Sequence, residues 1–148
     1  MLENFDIIAE LNKKRAEYDD AVARFCEPLL KDIKYMNEIR QASQNGYFDP
    51  VEERRAFFFA VLFFYSPKKL LSIKKCRTEV VQRMCELTHC SQSLVSFDIR
   101  NLLFQYKHYE SFRNLVNRTI NRAVQILGSK GINAKLYVTR FGNEEKEN

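Results

Sequence analysis

Residues 78–96 read TEVVQRMCELTHCSQSLVS, a stretch with the pattern of two short helices joined by a tight polar turn. The pattern predicts one helix over about 77–88 and a second over about 92–104. Ser91 is a good N-cap for the second helix, because its hydroxyl can accept a hydrogen bond from a free backbone N–H of the first turn. His89 stands where such turns usually have glycine, and histidine enters left-handed geometry more readily than most residues. The stretch therefore predicts a helix-turn-helix arrangement.

The second of these helices is expected to have an apolar and a polar face. At 100° per residue, Val95, Ile99 and Leu102 fall on one side. Short hydroxyl, amide and guanidinium groups fall on the other, where they could hydrogen-bond to bases or phosphates in a DNA major groove. Phe97 lies at the edge of that face, where it could touch a thymine methyl group. The candidate DNA-binding residues here are Ser91, Gln92, Ser93, Ser96, Phe97 and Arg100.

Positive charge is concentrated around the same stretch. Residues 67–122 contain eleven basic and four acidic side chains, whereas residues 1–66 contain nine basic and twelve acidic ones. A local excess of this kind is typical of a surface that neutralises phosphates. The segment 67–75 is predicted to be a linker, and its lysines, with the arginine that follows, extend the candidate DNA-binding set to Lys68, Lys69, Lys74, Lys75 and Arg77.

The run Gln92-Ser93-Leu94-Val95-Ser96, preceded by a small residue at Cys85, resembles the helix-turn-helix families of bacterial and phage DNA-binding proteins. Residues 48–109 as a whole are also similar to small proteins of bacteroidete phages and mobile elements. The resemblance implies double-stranded DNA as partner and a role as regulator or accessory factor. The chain departs from the motif at two positions, with His89 in place of glycine and Asp98 in place of an apolar residue.

A second interpretation keeps the same helices but changes the partner. The chain could be a helical assembly or adaptor protein, for example one similar to a small terminase subunit, that uses this surface for protein contacts. Phe97 fits either interpretation, because an exposed aromatic side chain is common in protein interfaces as well.

The N-terminal segment from about residue 4 to residue 42 repeats apolar residues with a period of seven. The pattern predicts a long helix or a helical hairpin, with a break near residues 24–27 because Pro28 cannot continue a regular helix. Two alternatives are equally consistent with it: an arm that forms a homo-oligomer, or an amphipathic helix pair packed on its own domain. The seam positions are Ile8, Arg15, Val22, Leu29 and Met36 on one line and Leu11, Tyr18, Phe25, Asp32 and Ile39 on the other.

The middle of the chain contains a clear helix start at Asp49-Pro50, followed by an apolar run over residues 56–65 that predicts a central buried helix. This helix is expected to end before Pro67. A last long helix should reach about Leu127 and stop at Gly128. The expected fold class is therefore all-α, divided into a helical oligomerisation arm at 1–46, a helix-turn-helix domain at 47–128 and a C-terminal tail at 129–148.

The sequence does not indicate an enzyme or a cofactor. His89 and His108 have no paired nucleophile, and no glycine-rich phosphate loop is present. The cysteines at 26, 76, 85 and 90 form no CxxC pair, so buried free thiols are expected over a zinc site with His89. The longest apolar run is about half of what a bilayer requires, and no secretion signal is evident. We therefore expect no membrane partner and a cytoplasmic protein, of a bacterium or of a phage's host cell.

Overall fold

The computed structural model describes residues 6–25, 27–44, 46, 49–70 and 76–133. This part of the chain contains only helices and their connections, without a strand, which confirms the all-α class. One turn of 3-10 helix, Ile33–Tyr35, leads into the second α-helix. The α-helices are α1 (Ile7–Phe25), α2 (Met36–Ser43), α3 (Pro50–Tyr65), α4 (Pro67–Leu70), α5 (Thr78–Thr88), α6 (Gln92–His108) and α7 (Glu110–Ser129).

Helix α3 is the centre of the structure and packs against α2, α6 and α7. It begins where the sequence predicts, because Asp49 is the N-cap and accepts a hydrogen bond from the Val51 N–H at 2.7 Å, while Pro50 takes the first helical position. Within residues 56–65 every side chain except that of Phe63 is buried. The helix is apolar around its circumference, and its neighbours cover it on several sides.

The break predicted near residues 24–27 is confirmed, since α1 ends at Phe25. The chain that follows is attached to the end of α3. Leu29 and Leu30 donate their backbone N–H groups to the Phe64 carbonyl oxygen at 2.8 and 3.0 Å. The Tyr65 hydroxyl donates to the Asp32 carbonyl oxygen at 2.6 Å. We call residues 29–32 the anchor segment, because these bonds fix it to the core.

The heptad pattern covers two segments in different surroundings. Met36 and Ile39 of α2 are fully buried, in the same cluster as the apolar side chains of α3 and α7. On α1, in contrast, Ile8, Leu11 and Tyr18 are 58 to 67% exposed. No side chain described for residues 7–21 is buried, and α1 has no extensive contact with another described helix. The division of the chain at residues 46 and 128 stays a prediction.

Two helix ends differ from the sequence prediction. Helix α6 continues to His108, beyond the expected end near residue 104, and one extended residue, Tyr109, separates it from α7. The stop predicted at Gly128 is wrong, because α7 includes Gly128 and ends at Ser129. The glycine with left-handed geometry after this helix is Gly131, at φ 85°. Residues 134–148, most of the predicted tail, lie outside the described residues.

None of the described helices combines the length and the apolar character needed to cross a bilayer.

Candidate nucleic-acid interface

Helices α5 and α6 pack against each other and are joined by His89, Cys90 and Ser91. His89 lies in the left-handed region, at φ 56° and ψ 36°. This geometry lets the Cys90 N–H donate to the Cys85 carbonyl oxygen at 3.2 Å and closes the end of α5. Ser91 then caps α6, because its Oγ accepts a hydrogen bond from the Leu94 N–H at 3.2 Å. The turn geometry at His89 and the cap at Ser91 agree with the sequence prediction.

Helix α6 has the two faces that the sequence predicts. Val95 and Leu102 are buried in the core, and Ile99 is half-buried. Phe97 is 52% exposed at the edge of the opposite face. The polar candidates on that opposite face are all exposed, namely Gln92, Ser93, Ser96 and Arg100.

A shallow cleft of about 220 Å³ opens between α4, α5 and the outward face of α6. It brings Lys69 of α4 together with Gln92, Ser96 and Arg100 of α6, four residues that the sequence proposes as one binding set. The rest of the cleft lining is apolar or weakly polar, and none of the described lining residues is acidic. The other lining residues are Cys76, Val81 and Ile99.

The polar side chains of this cleft are not engaged elsewhere in the described part of the chain. Those of Lys69, Gln92, Ser96 and Arg100 make no hydrogen bond or ion pair with another described residue. Their donors are therefore satisfied by solvent and remain available to an external ligand. The cleft offers two cations, an amide and a hydroxyl to such a ligand.

The remaining basic candidates have different environments. The segment predicted to be a linker begins as the short helix α4, on which Lys68 is exposed. The Lys69 N–H donates a hydrogen bond to the Ser66 carbonyl oxygen at 2.9 Å. Arg77 is ion-paired with Glu79 and donates to the Lys31 carbonyl oxygen at 3.2 Å, so its guanidinium is partly occupied. Lys74 and Lys75 lie outside the described residues.

Asp98 is the residue whose role the sequence analysis missed. It is only 2% exposed, and its carboxylate binds two arginines of α3. Arg54 Nη2 lies 3.0 Å from Asp98 Oδ2, and Arg55 Nε lies 3.4 Å from Oδ1. Asp98, which stands where the motif usually has an apolar residue, therefore forms an ionic contact between α6 and α3. The adjacent arginines at the start of α3 were the sequence signal that could have identified it.

A side-chain hydrogen bond from Arg83 links helix α5 to α2, against which it also packs. Arg83 Nη2 donates to Asn37 Oδ1 at 2.8 Å, while Nη1 lies 2.8 Å from Glu86 Oε2. The Asp98 contact likewise joins α6 to α3. Neither Arg83 nor Asp98 is among the residues that line the cleft.

The cysteines near the cleft are free thiols and half-buried. Burial raises the pKa of the Cys76 thiol, which also donates a hydrogen bond to Ser66 Oγ at 3.6 Å. Burial likewise raises the pKa of Cys85. Both thiols are therefore held in the protonated, weakly nucleophilic form. Among the described residues, no group of three His, Cys, Asp or Glu side chains is placed to hold a metal ion.

Comparison with known proteins gives no relative for this chain: no family model, no curated protein and no solved structure matches it.

Proposed function

We propose that this chain binds double-stranded DNA through α5 and α6, acting as a helix-turn-helix in which α6 enters the major groove. The observation that carries the proposal is the cleft, where Gln92, Ser96, Arg100 and Lys69 present unengaged polar groups on one exposed face. Amide and guanidinium groups bind base edges, while lysine and serine bind phosphates.

The distribution of charge supports the same proposal. Asp98 is the sole acidic residue of α6, and it is buried against Arg54 and Arg55. Helix α6 therefore presents no carboxylate to a phosphate backbone, although its sequence contains one. An acid at this position would repel DNA if it were exposed, and its burial removes that repulsion.

The wider role follows from the resemblance and the heptad pattern. We propose a regulator or accessory factor of a phage or mobile element, non-enzymatic and without a cofactor, that acts as a homo-oligomer in the cytoplasm. A second candidate is an adaptor that uses the same face for protein contacts. The exposed ring of Phe97 favours it, since exposed aromatic residues often contribute strongly to protein interfaces.

The first test is the salt dependence of binding to duplex DNA. We expect binding at low ionic strength that weakens steeply as salt is raised, because each phosphate contact releases counterions. Fluorescence anisotropy with a labelled random duplex measures this directly. Absence of binding at low salt, or an affinity that does not change with salt, contradicts the proposal.

The second test separates DNA contacts from protein contacts. Arg100→Ala and Gln92→Ala should each weaken binding to a selected target by about 1 to 3 kcal/mol, with little change in stability. Lys13→Ala is the matched control, because it removes one exposed positive charge from α1, outside the cleft. If the α6 variants bind DNA normally and lose a protein partner or an oligomeric state, the adaptor function replaces the DNA-binding one.

A further inference from the structure

Helix α1 leaves an apolar stripe uncovered. Ile7, Ile8, Leu11 and Tyr18 are each 58 to 67% exposed, and with Arg15 they lie within about 100° of the helix circumference at 100° per residue. Asp6 is the N-cap of this helix, because its Oδ1 accepts a hydrogen bond from the Ala9 N–H at 3.1 Å. Most helical stability in proteins comes from the packing of such a stripe. Helix α1 has no such packing within the described part of the chain.

The charges beside the stripe indicate what covers it. Lys14 and Asp19 lie at opposite edges of the stripe, five residues apart. Lys14 occupies the g position of one heptad, and Asp19 occupies the e position of the next. In two parallel, in-register helices, a g residue faces the following e residue of the other helix. Lys14 of each copy therefore meets Asp19 of the other copy. Within its own helix Lys14 Nζ lies 3.8 Å from Glu10 Oε1, an exposed contact of the kind that contributes little and can be exchanged. In an antiparallel pair, g residues would instead face g residues and e residues would face e residues, so neither Lys14–Asp19 contact would form.

The seam residues favour the same arrangement. Ile8 and Arg15 occupy a positions, and Leu11 and Tyr18 occupy d positions. A β-branched residue at a with leucine at d is typical of parallel two-stranded coiled coils. A single polar residue at an a position, here Arg15, lowers stability but fixes register and the number of strands.

We propose that α1 pairs with α1 of a second copy of this chain as a parallel, in-register coiled coil, held laterally by two Lys14–Asp19 ion pairs. The dimer carries two copies of the α5–α6 unit. The pairing is independent of DNA binding, so it is tested without DNA, and either proposal can fail while the other stands.

The experiment uses charge reversal at the two edges, with the full chain and sedimentation equilibrium over a wide range of protein concentration. Lys14→Asp alone sets carboxylate against carboxylate at both lateral contacts, and Asp19→Lys alone sets ammonium against ammonium. Each variant should raise the dissociation constant of the dimer by about tenfold, because two attractive pairs become repulsive. In a heterodimer of the two variants, both lateral contacts join a carboxylate to an ammonium group, so mixing the two should bring the dissociation constant back close to the wild-type value. A mixture that associates no better than the separate variants overturns the proposal.

The double variant Lys14→Asp with Asp19→Lys provides a second restoration, within a single chain. It exchanges the two charges within each copy, so both lateral contacts again join a carboxylate to an ammonium group. The double variant should dimerise with nearly the wild-type dissociation constant. A variant that merely loses helix formation cannot imitate this result, because a second charge reversal on the same helix would not repair it.

Lys13 and Asp20 give a matched control, because both are exposed on the side of α1 away from the stripe. Lys13→Asp and Asp20→Lys make the same changes of charge and should leave the dissociation constant within about threefold of wild type. The proposal is overturned by a monomer at every concentration, by edge and control variants that behave alike, or by a double variant whose dimerisation is not restored.

Discussion

Asp98 is the sole acidic residue of α6, and both of its carboxylate oxygens are occupied by arginines of α3. Burying an ion pair gains little net stability, because desolvation offsets the attraction, but removing one partner leaves the other charges unpaired. The ionic contact also fixes the rotation of α6 about its axis, because Asp98 reaches both arginines at one rotation of the helix. At that rotation Val95 faces the core and Arg100 faces solvent.

The first prediction at this scale concerns the loss of that carboxylate. Asp98→Ala should lower the free energy of unfolding by about 3 kcal/mol, because Arg54 and Arg55 lose their charge partner in a largely buried position. Guanidinium denaturation followed by circular dichroism measures the change. Glu17→Ala is the control, an exposed acid on α1 whose loss should change stability by less than about 0.5 kcal/mol. Equal effects from both variants would show that the ionic contact does not hold α6.

At the scale of helices, local signals in the sequence predict the starts of α3, α5 and α6. Asp49-Pro50 and Ser91 are read from capping chemistry alone, and the structure has both caps. The end of α6 predicted near residue 104 is too early, because the boundary between α6 and α7 has no glycine or proline. It depends on one extended residue, Tyr109, between two helices that pack against each other. Such a break is set by tertiary packing, which no local pattern records.

A prediction at the scale of helices tests the two faces of α6. Val95→Ala should lower the free energy of unfolding by about 1 to 3 kcal/mol, since it removes two methyl groups from a fully buried site. Leu94→Ala is the neighbouring control and should cost less, because Leu94 is 37% exposed. Thermal and denaturant unfolding of both variants gives the comparison. The reverse order of stability would mean that α6 has a different rotation about its axis.

At the scale of the whole molecule, one heptad pattern runs through two helices in different surroundings. The sequence left open whether the seam packs on its own domain or on another chain, because a heptad repeat records only that one face is apolar. The structure gives the first role to α2, whose Met36 and Ile39 are buried with α3 and α7. It leaves α1 outside the core. Of the candidate site, the α6 residues are predicted from period and capping, and Lys69 from the local excess of positive charge. The fold was needed to show that Lys69 lies on a short helix beside the α6 face.

The whole-molecule prediction compares the same residue type in the two halves of the seam. Ile39→Ala should lower the free energy of unfolding by about 2 to 5 kcal/mol, because Ile39 is fully buried. Ile8→Ala should change it by less than about 0.5 kcal/mol, because Ile8 is 67% exposed. Both are measured at low protein concentration, where association contributes little to apparent stability. Similar losses would indicate that α1 packs on the core.

The anchor segment also determines where this chain can be divided. Leu29, Leu30 and Asp32 are bonded through their backbones to the last turn of α3, so removing them would leave the Phe64 carbonyl oxygen and the Tyr65 hydroxyl without these protein partners. Residue 28 is therefore the last position at which an N-terminal truncation spares these bonds. A fragment that begins there has lost α1 and keeps every helix that lines the cleft. The proposed association through α1 and the α6 surface are thus separable by a single cut.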